Sequence, residues 1–185
     1  MPNWCENIVT IKGNKKNINK IKKIIRESDG FFSKLIPLNE HLNEKQNEWN
    51  KLSEEEQKEW QNNFESYEFN NGGYDERVKQ WGTKWDVEVY SYNGNDNSID
   101  IEFDSAWSPP LEGLLAISDK YKVDCHCSYR EPGMCFAGEF EAKSGKIISE
   151  DHREAYFIFC EECYVSSEVS ENETKCPNCD AEIGE

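Results

Sequence analysis

The spacing of four cysteines near the end of the chain constrains its fold more than any other feature of the sequence. Two Cys-x2-Cys pairs, separated by 12 residues, are formed by Cys160, Cys163, Cys176 and Cys179. Two close pairs joined by a short loop are typical of a tetrahedral four-thiolate metal site. The apolar run at 155–159 predicts a strand that leads into the first pair. We therefore expect residues 151–185 to form a small zinc ribbon.

The four thiolates predict one structural Zn²⁺ ion rather than a catalytic one. Four cysteine ligands complete the coordination sphere of the ion and leave no position open for water or substrate. In so short a segment, metal binding would supply most of the folding free energy, on the order of 10 kcal/mol. Iron of the rubredoxin kind is the alternative, because four thiolates hold either metal. Disulfides are disfavoured because they are rare in cytosolic proteins.

The other cysteines lack this spacing. The run at 123–130 alternates between apolar and polar residues, which predicts a strand. This alternation places Cys125 and Cys127 on one face of the strand and His126 on the other. We therefore expect two buried thiols and an outward histidine, rather than a second metal site or a nucleophile.

The rest of the chain shows a β-α-β-β-α-β order of predicted strands and helices. Alternating and β-branched runs predict strands at 5–11, 85–92, 98–105, 123–130 and 135–142. Asn17 is a typical N-cap residue for the first helix, and Ser108-Pro109-Pro110 opens the second. This order is that of the ferredoxin-like split unit, in which both helices cover one face of an antiparallel sheet. We therefore expect an α+β ferredoxin-like domain over residues 1–150.

A helical insertion is predicted at about residues 40–70, between the first helix and the second strand. Its apolar residues recur at helical spacing, among them Trp49, Leu52 and Trp60. Ser53 and Glu56 have the spacing of a capping box, which predicts the start of a second helix within the insertion.

The net charge of −16 is unevenly distributed. Residues 131–185 carry 14 acidic and 4 basic side chains, whereas residues 1–30 have a balance of +4. Strand alternation places further carboxylates on the sheet face that the helices leave open. These candidate partner-binding residues are Asp86, Glu88, Asp100, Glu102, Asp104 and Asp124. Such a face repels phosphate and attracts a basic partner, so binding of free nucleic acid is disfavoured.

Known catalytic motifs are missing from the sequence. It has no phosphate-binding glycine motif, and its three histidines suggest no nucleophile–base pair. We therefore predict no catalytic residues. The N-terminus lacks the pattern of a signal peptide, and no stretch approaches the ~20 apolar residues of a membrane span. These features predict a cytoplasmic protein.

Several longer phrases occur together in one order. They are Met-Pro-Asn-Trp-Cys-Glu-Asn at 1–7, Ile-Pro-Leu at 36–38, Trp-Gly-Thr-Lys-Trp-Asp at 81–86, Ala-Trp-Ser-Pro-Pro at 106–110 and Glu-Pro-Gly-Met-Cys-Phe-Ala-Gly at 131–138. Over residues 1–150 the chain resembles the YubB-type ferredoxin-like family, which is carried on plasmids and phages and is largely of unknown function. The resemblance implies no catalytic residues. Within these phrases, Trp81, Trp85 and Trp107 are predicted to be packing anchors.

Three classes of function are compatible with this sequence. The favoured one is an accessory protein of a mobile element that binds a basic host protein or nucleoprotein complex, such as a CRISPR effector, and inhibits it. The second is a nucleic-acid-associated regulator that uses the zinc ribbon and the Lys-rich first helix. The third is an enzyme that uses the sheet-face carboxylates in a metal-dependent reaction, or the Cys125–Cys127 region.

Overall fold

The protein is built on a six-stranded antiparallel sheet within the part of the chain that its computed structural model describes, residues 3–27, 30–38, 51–61, 74–170 and 173–182. The strands of this sheet are β1 Trp4–Lys12, β2 Ser91–Gly94, β3 Ser98–Ala106, β4 Asp124–Glu131, β5 Phe136–Lys143 and β6 Lys146–Glu154. A second sheet pairs β7 Tyr156–Cys160 with β8 Val165–Val169. The helices are α1 Lys15–Glu27, α2 Phe32–Leu35, α3 Glu54–Gln61, α4 Tyr74–Trp81 and α5 Leu111–Tyr121. Among the described residues, no helix is long and apolar enough to cross a membrane.

The strand order confirms the predicted ferredoxin-like fold. The six strands lie in the order β2-β3-β1-β4-β5-β6. The first four of these positions reproduce the split unit, with β1 in the middle between β3 and β4. Strands β5 and β6 then continue the sheet beyond β4 as antiparallel neighbours. The fold is therefore α+β, with a sheet wider than the minimal unit.

The hydrophobic core lies on the side of the sheet that α1 and α5 cover. Strand β1 alternates between buried and exposed residues, as its sequence predicts. Ile18 and Ile21 of α1, and Leu114 and Ile117 of α5, are fully buried in the same cluster. The opposite face of the sheet carries the exposed residues of β1, β3 and β4.

The first helix begins earlier than predicted. Asn14, rather than Asn17, caps it, because the Asn14 Oδ1 atom accepts a hydrogen bond from the Asn17 backbone N–H at 3.0 Å. The Asn17 side chain instead donates to the Tyr121 carbonyl oxygen at 2.6 Å. Asn17 therefore ties α1 to the end of α5.

The predicted strand over 85–92 is wrong for most of its length, since β2 begins only at Ser91. The Asp86 carboxylate accepts hydrogen bonds from the backbone N–H groups of Phe31, Phe32 and Ser33 at 3.2, 2.7 and 3.0 Å. These amides open α2 and have no partner within the helix. Asp86, which the alternating pattern places on the sheet face, therefore holds the segment before β2 against α2.

Most of the predicted helical insertion lies outside the described residues. Within it, α3 is described, and its capping box is confirmed. The Ser53 N–H donates to a Glu56 carboxylate oxygen at 2.8 Å, and the Glu56 N–H donates to the Ser53 hydroxyl at 3.4 Å. Trp49 lies outside the described residues, as does the side chain of Trp60.

Candidate metal centre and acidic sheet face

The four predicted cysteine ligands come together at one end of the β7–β8 hairpin. Their sulfur atoms all lie within 4.8 Å of one another. The Sγ atoms of Cys160 and Cys179 are 3.6 Å apart, and those of Cys163 and Cys176 are 3.7 Å apart. A tetrahedral Zn²⁺ with Zn–S bonds of about 2.3 Å separates its sulfur ligands by about 3.8 Å. The four thiols therefore lie close enough together to bind one metal ion, and two of their separations match a tetrahedral site.

Both cysteine pairs sit in the same kind of backbone turn. The Tyr164 N–H donates to the Cys160 carbonyl oxygen at 2.8 Å, and the Asp180 N–H donates to the Cys176 carbonyl oxygen at 2.9 Å. Tyr164 and Asp180 have positive φ angles of 57° and 62°. A left-handed residue after each pair turns the chain back and points both thiols of the pair to the same side. The local turn around each cysteine pair thus orients two of the four ligands.

The cluster lowers the pKa of one ligand and raises that of another. Against a hydrogen bond from the Ala181 backbone, desolvation and hydrogen bonds with the neighbouring cysteines raise the pKa of Cys179 to about 12. Hydrogen bonding from the Asn178 side chain, with a smaller contribution from the Val165 backbone, lowers the pKa of Cys163 to about 6. The Asn178 backbone N–H points at the Cys176 sulfur, 3.4 Å away. Amides directed at sulfur ligands are typical of metal knuckles, because metals bind the thiolate.

The β7–β8 hairpin is docked against the open face of the main sheet by two arginines. The Arg130 guanidinium donates to the Ser166 carbonyl oxygen at 3.2 Å and to the Glu6 carboxylate at 2.7 Å. Arg153 forms a two-pronged contact with the Glu168 carboxylate of β8. These contacts border a cleft of about 490 Å³ between the sheet and the hairpin. The four-cysteine cluster is therefore held beside the open face.

Three outward carboxylates of β3 form the most strongly acidic part of the open face. Asp100, Glu102 and Asp104 are two residues apart, which places neighbouring carboxylates about 7 Å from one another. We call these three residues the acidic row. Each accepts a hydrogen bond from a hydroxyl group, rather than from Lys or Arg, within the part of the chain that the structure describes. The donors are Thr10 at 2.7 Å, Ser91 at 3.3 Å and Tyr90 at 3.4 Å.

Other outward carboxylates are compensated by cations. Glu6 pairs with Arg130 at 2.7 Å, and Glu141 pairs with Lys143 at 2.9 Å. The acidic row therefore differs from the β4–β6 side of the same face, where Arg130 and Lys143 pair with carboxylates. Its charge is available to a partner.

Two pKa values are raised at the Asp104 end of the row. Partial burial, followed by the nearby Glu6 charge, raises the pKa of Asp104. Partial burial and the Asp104 charge raise the pKa of Tyr90 to about 12. The Tyr90 hydroxyl therefore remains a hydrogen-bond donor at neutral pH. In both groups burial is the largest cause, and neighbouring carboxylates add to it.

The remaining predicted face residues lie elsewhere. Placing Asp86 on the sheet face is wrong, because its carboxylate caps α2. Glu88 is exposed but precedes β2, so it lies outside the sheet. Asp124 is exposed on β4, where its strand neighbours are Lys12 and Lys143. It therefore belongs to the compensated side rather than to the acidic row.

Two of the three predicted aromatic packing anchors are instead exposed. Trp81 is buried, and its indole N–H donates to the Ile36 carbonyl oxygen at 2.8 Å, as expected for an anchor. Trp85 and Trp107 are 40% and 46% exposed, so for them the prediction is wrong. The ring centroids of Trp85 and Trp4 lie 6.0 Å apart on the open face. Sequence reasoning missed this contact, although the outward position of Trp4 follows from the alternation of β1.

The thiols of β4 are buried and His126 is exposed, as predicted. Burial raises the pKa of Cys125 to about 12 and that of Cys127 still further. Such thiols remain protonated at neutral pH, so they serve as small core residues rather than as nucleophiles.

Comparison with known proteins places the chain in a family. The family described as "Ferredoxin-like domain in Api92-like protein" matches residues 80–178, which is more than half of the chain. The chain belongs to this family. The matched span of the Api92-like domain includes β2 to β8 and the first three cysteines of the metal centre.

One solved structure is similar to this fold. It is the crystal structure of a protein api92 from Yersinia pseudotuberculosis, with 12% sequence identity and a TM-score of 0.47. The similarity covers 83% of this chain and 98% of that chain. No curated protein matches the sequence.

Proposed function

We propose that this Api92-like protein acts by binding a basic partner through the open face of its sheet. The observation that carries the proposal is the acidic row, Asp100, Glu102 and Asp104. Its carboxylates accept hydrogen bonds from hydroxyl groups, and no Lys or Arg among the described residues pairs with them. A row of fixed negative charges attracts a positively charged patch on a partner and accelerates association of the two proteins. The net charge of −16 adds a long-range field of the same sign.

The metal centre supports this role by keeping the neighbouring hairpin in place. We propose that its metal is Zn²⁺, because the sulfur separations of 3.6 and 3.7 Å fit a tetrahedral zinc site. Four thiolates saturate the ion, so its contribution is structural. The hairpin that it stabilises contacts Arg130 and Arg153, which border the open face. Removal of the metal should therefore make the β7–β8 hairpin, which borders the proposed binding surface, more mobile.

The biological setting that we propose is inhibition of a host defence complex. The YubB-type resemblance suggests a protein of a plasmid or phage that acts in the host cytoplasm. A nucleic-acid channel is lined with basic side chains, and a fixed row of carboxylates competes there with phosphates. An effector such as a CRISPR complex offers a surface of this kind. Binding alone would block it.

The test is capture of partners from host extract with full-length protein and one charge-matched pair of variants. The row variant carries Asp100→Asn, Glu102→Gln and Asp104→Asn. The control carries Glu54→Gln, Glu55→Gln and Glu59→Gln on exposed positions of α3, and so has the same net charge. Three surface charge pairs contribute about 0.2–1 kcal/mol each, so the row variant should bind roughly threefold to a hundredfold more weakly.

The outcomes separate the functional classes. Recovery of a basic ribonucleoprotein by the wild type and the α3 control, but not by the row variant, supports the proposal. Equal recovery by all three proteins contradicts it. Affinity for free DNA or RNA at moderate salt would favour the regulator. Metal-dependent turnover lost on Asp100→Asn would favour the enzyme.

A further inference from the structure

The open face ends in a group of exposed aromatic side chains. Trp4 and Trp85 are 48% and 40% exposed, and their rings meet at an interplanar angle of 47°. Tyr90 is 60% exposed. We call these three residues the aromatic end. Large aromatic side chains left in water on one surface are typical of binding sites, because burying them is favourable.

The aromatic end adjoins the acidic row. Trp4 lies opposite Ala106 on β3, and Asp104 is two residues before Ala106 on the same face. The Tyr90 hydroxyl donates to an Asp104 carboxylate oxygen at 3.4 Å. A group that binds here therefore has both aromatic rings and the Asp104 carboxylate close by. This combination suits a cation with a flat, weakly hydrated head.

A cation already lies on one of these rings. The Lys84 Nζ atom is 4.9 Å from the centroid of the Trp85 ring. This is within the ~6 Å range of cation–π contacts, so the ring accepts positive charge from the protein itself. Lys84 also places a positive charge where an incoming cation would have to approach.

We propose that the aromatic end, together with Asp104, binds an arginine side chain of a basic partner. The inference rests on the proposed function and names the part of the open face that recognises the partner. A guanidinium group stacks on Trp and offers paired N–H donors to a carboxylate, whereas an ammonium group lacks the flat stacking surface. A nucleic-acid base would also stack on Trp4, but its phosphate would meet the acidic row.

The experiment measures binding of fluorescein-labelled peptides to the metal-loaded, full-length protein by fluorescence anisotropy. The probes are an octapeptide of alternating Arg and Gly, its Lys counterpart and a single-stranded oligonucleotide. Trp4→Ala should weaken binding of the Arg peptide roughly threefold to fivefold, and Trp85→Ala should act similarly. Asp104→Asn should weaken it about tenfold. The Lys peptide should bind several-fold more weakly than the Arg peptide.

Two variants keep the experiment interpretable. Asp124→Asn removes the same charge from the compensated side of the face and should change affinity less than twofold. Lys84→Met removes the resident cation and should strengthen binding of the Arg peptide. A variant that binds more tightly has not lost its fold, so this gain cannot arise from misfolding.

The outcomes distinguish failure of this site from failure of the proposed function. Equal losses with Asp124→Asn and Asp104→Asn would show general charge attraction and overturn the arginine site, while leaving the acidic face as a binding surface. Loss of oligonucleotide binding, but not of Arg-peptide binding, on Trp4→Ala would make the aromatic end a base-stacking surface and also overturn it. Absence of any Arg-peptide binding would contradict both the site and the proposed function.

Discussion

Replacing Asp86 with alanine should destabilise the protein more than any other change in the predicted set of face carboxylates. The carboxylate accepts three N-terminal amides of α2 at 2.7–3.2 Å and the Val87 N–H at 2.9 Å. Loss of an N-cap costs about 1–2 kcal/mol, and partly buried amides left without a partner add about 1–3 kcal/mol. We expect a loss of about 3 kcal/mol, which lowers Tm by roughly 6–12 °C for a chain of this size.

The control is Glu88→Ala, two residues away and exposed, which should change the free energy of unfolding by less than about 0.5 kcal/mol. Asp86→Asn should fall between the two, because its amide oxygen still accepts a hydrogen bond but carries no charge. Thermal unfolding of the metal-loaded protein by circular dichroism gives the values. Hydrogen exchange should accelerate most at Phe32 and Ser33. A Tm for Asp86→Ala equal to that of Glu88→Ala would refute the capping role.

Three further predictions follow from the site. Metal analysis should find one zinc per chain. A strong chelator should unfold the β7–β8 hairpin, while NMR spectra should show that the six-stranded sheet persists. Cooperative loss of the whole fold would contradict this prediction. In the metal-loaded protein at pH 8, a thiol reagent should leave Cys5, Cys125 and Cys127 unmodified, because burial raises the pKa of each far above the assay pH; rapid modification would place them at the surface. Asp104→Asn should raise Tm at pH 7 while weakening partner binding. The folded-state pKa of Asp104 is raised, so its ionisation costs stability as pH rises above the ordinary value of 3.8, and the gain in Tm should vanish toward that pH.

The parts of the fold that follow from local pattern could be predicted. Alternation over Trp4–Lys12 and Asp124–Glu131 is strict, because each strand has one face in the core and one in water. The cysteine spacing likewise determines its own local turns, with Tyr164 and Asp180 in left-handed conformations. The structure of these segments is determined by residues close to one another in sequence.

Long-range contacts account for the errors. The run 85–92 alternates like a strand. The Asp86 side chain instead accepts hydrogen bonds from the amides at the start of α2, which lie more than 50 residues earlier in the chain. Trp85 is a large aromatic residue of the kind that usually lies in a core. The loop that carries it instead places it beside Trp4 at the surface. Neither outcome is encoded near the residue concerned. The proposed binding site includes one of these departures, since Trp85 was predicted to be a packing anchor.

The uncompensated charge of Asp100, Glu102 and Asp104 also could not be predicted from the sequence. Alternation places carboxylates outward on several strands, but it does not show which of them meet a cation. The structure pairs Glu6 with Arg130 and leaves the acidic row to hydroxyl donors. Side-chain pairing across strands depends on register, which sequence pattern alone does not give.

The most direct test of the account is the affinity of the captured basic partner for the wild type, the row variant and the α3 control at two salt concentrations. The account predicts that the row variant binds at least about threefold more weakly at low salt, and that the α3 control binds like the wild type. Rising salt should narrow the difference between the affinities of the row variant and the wild type. Equal weakening of the row variant and the α3 control would show that net charge alone matters. That result would contradict a specific role for the acidic row.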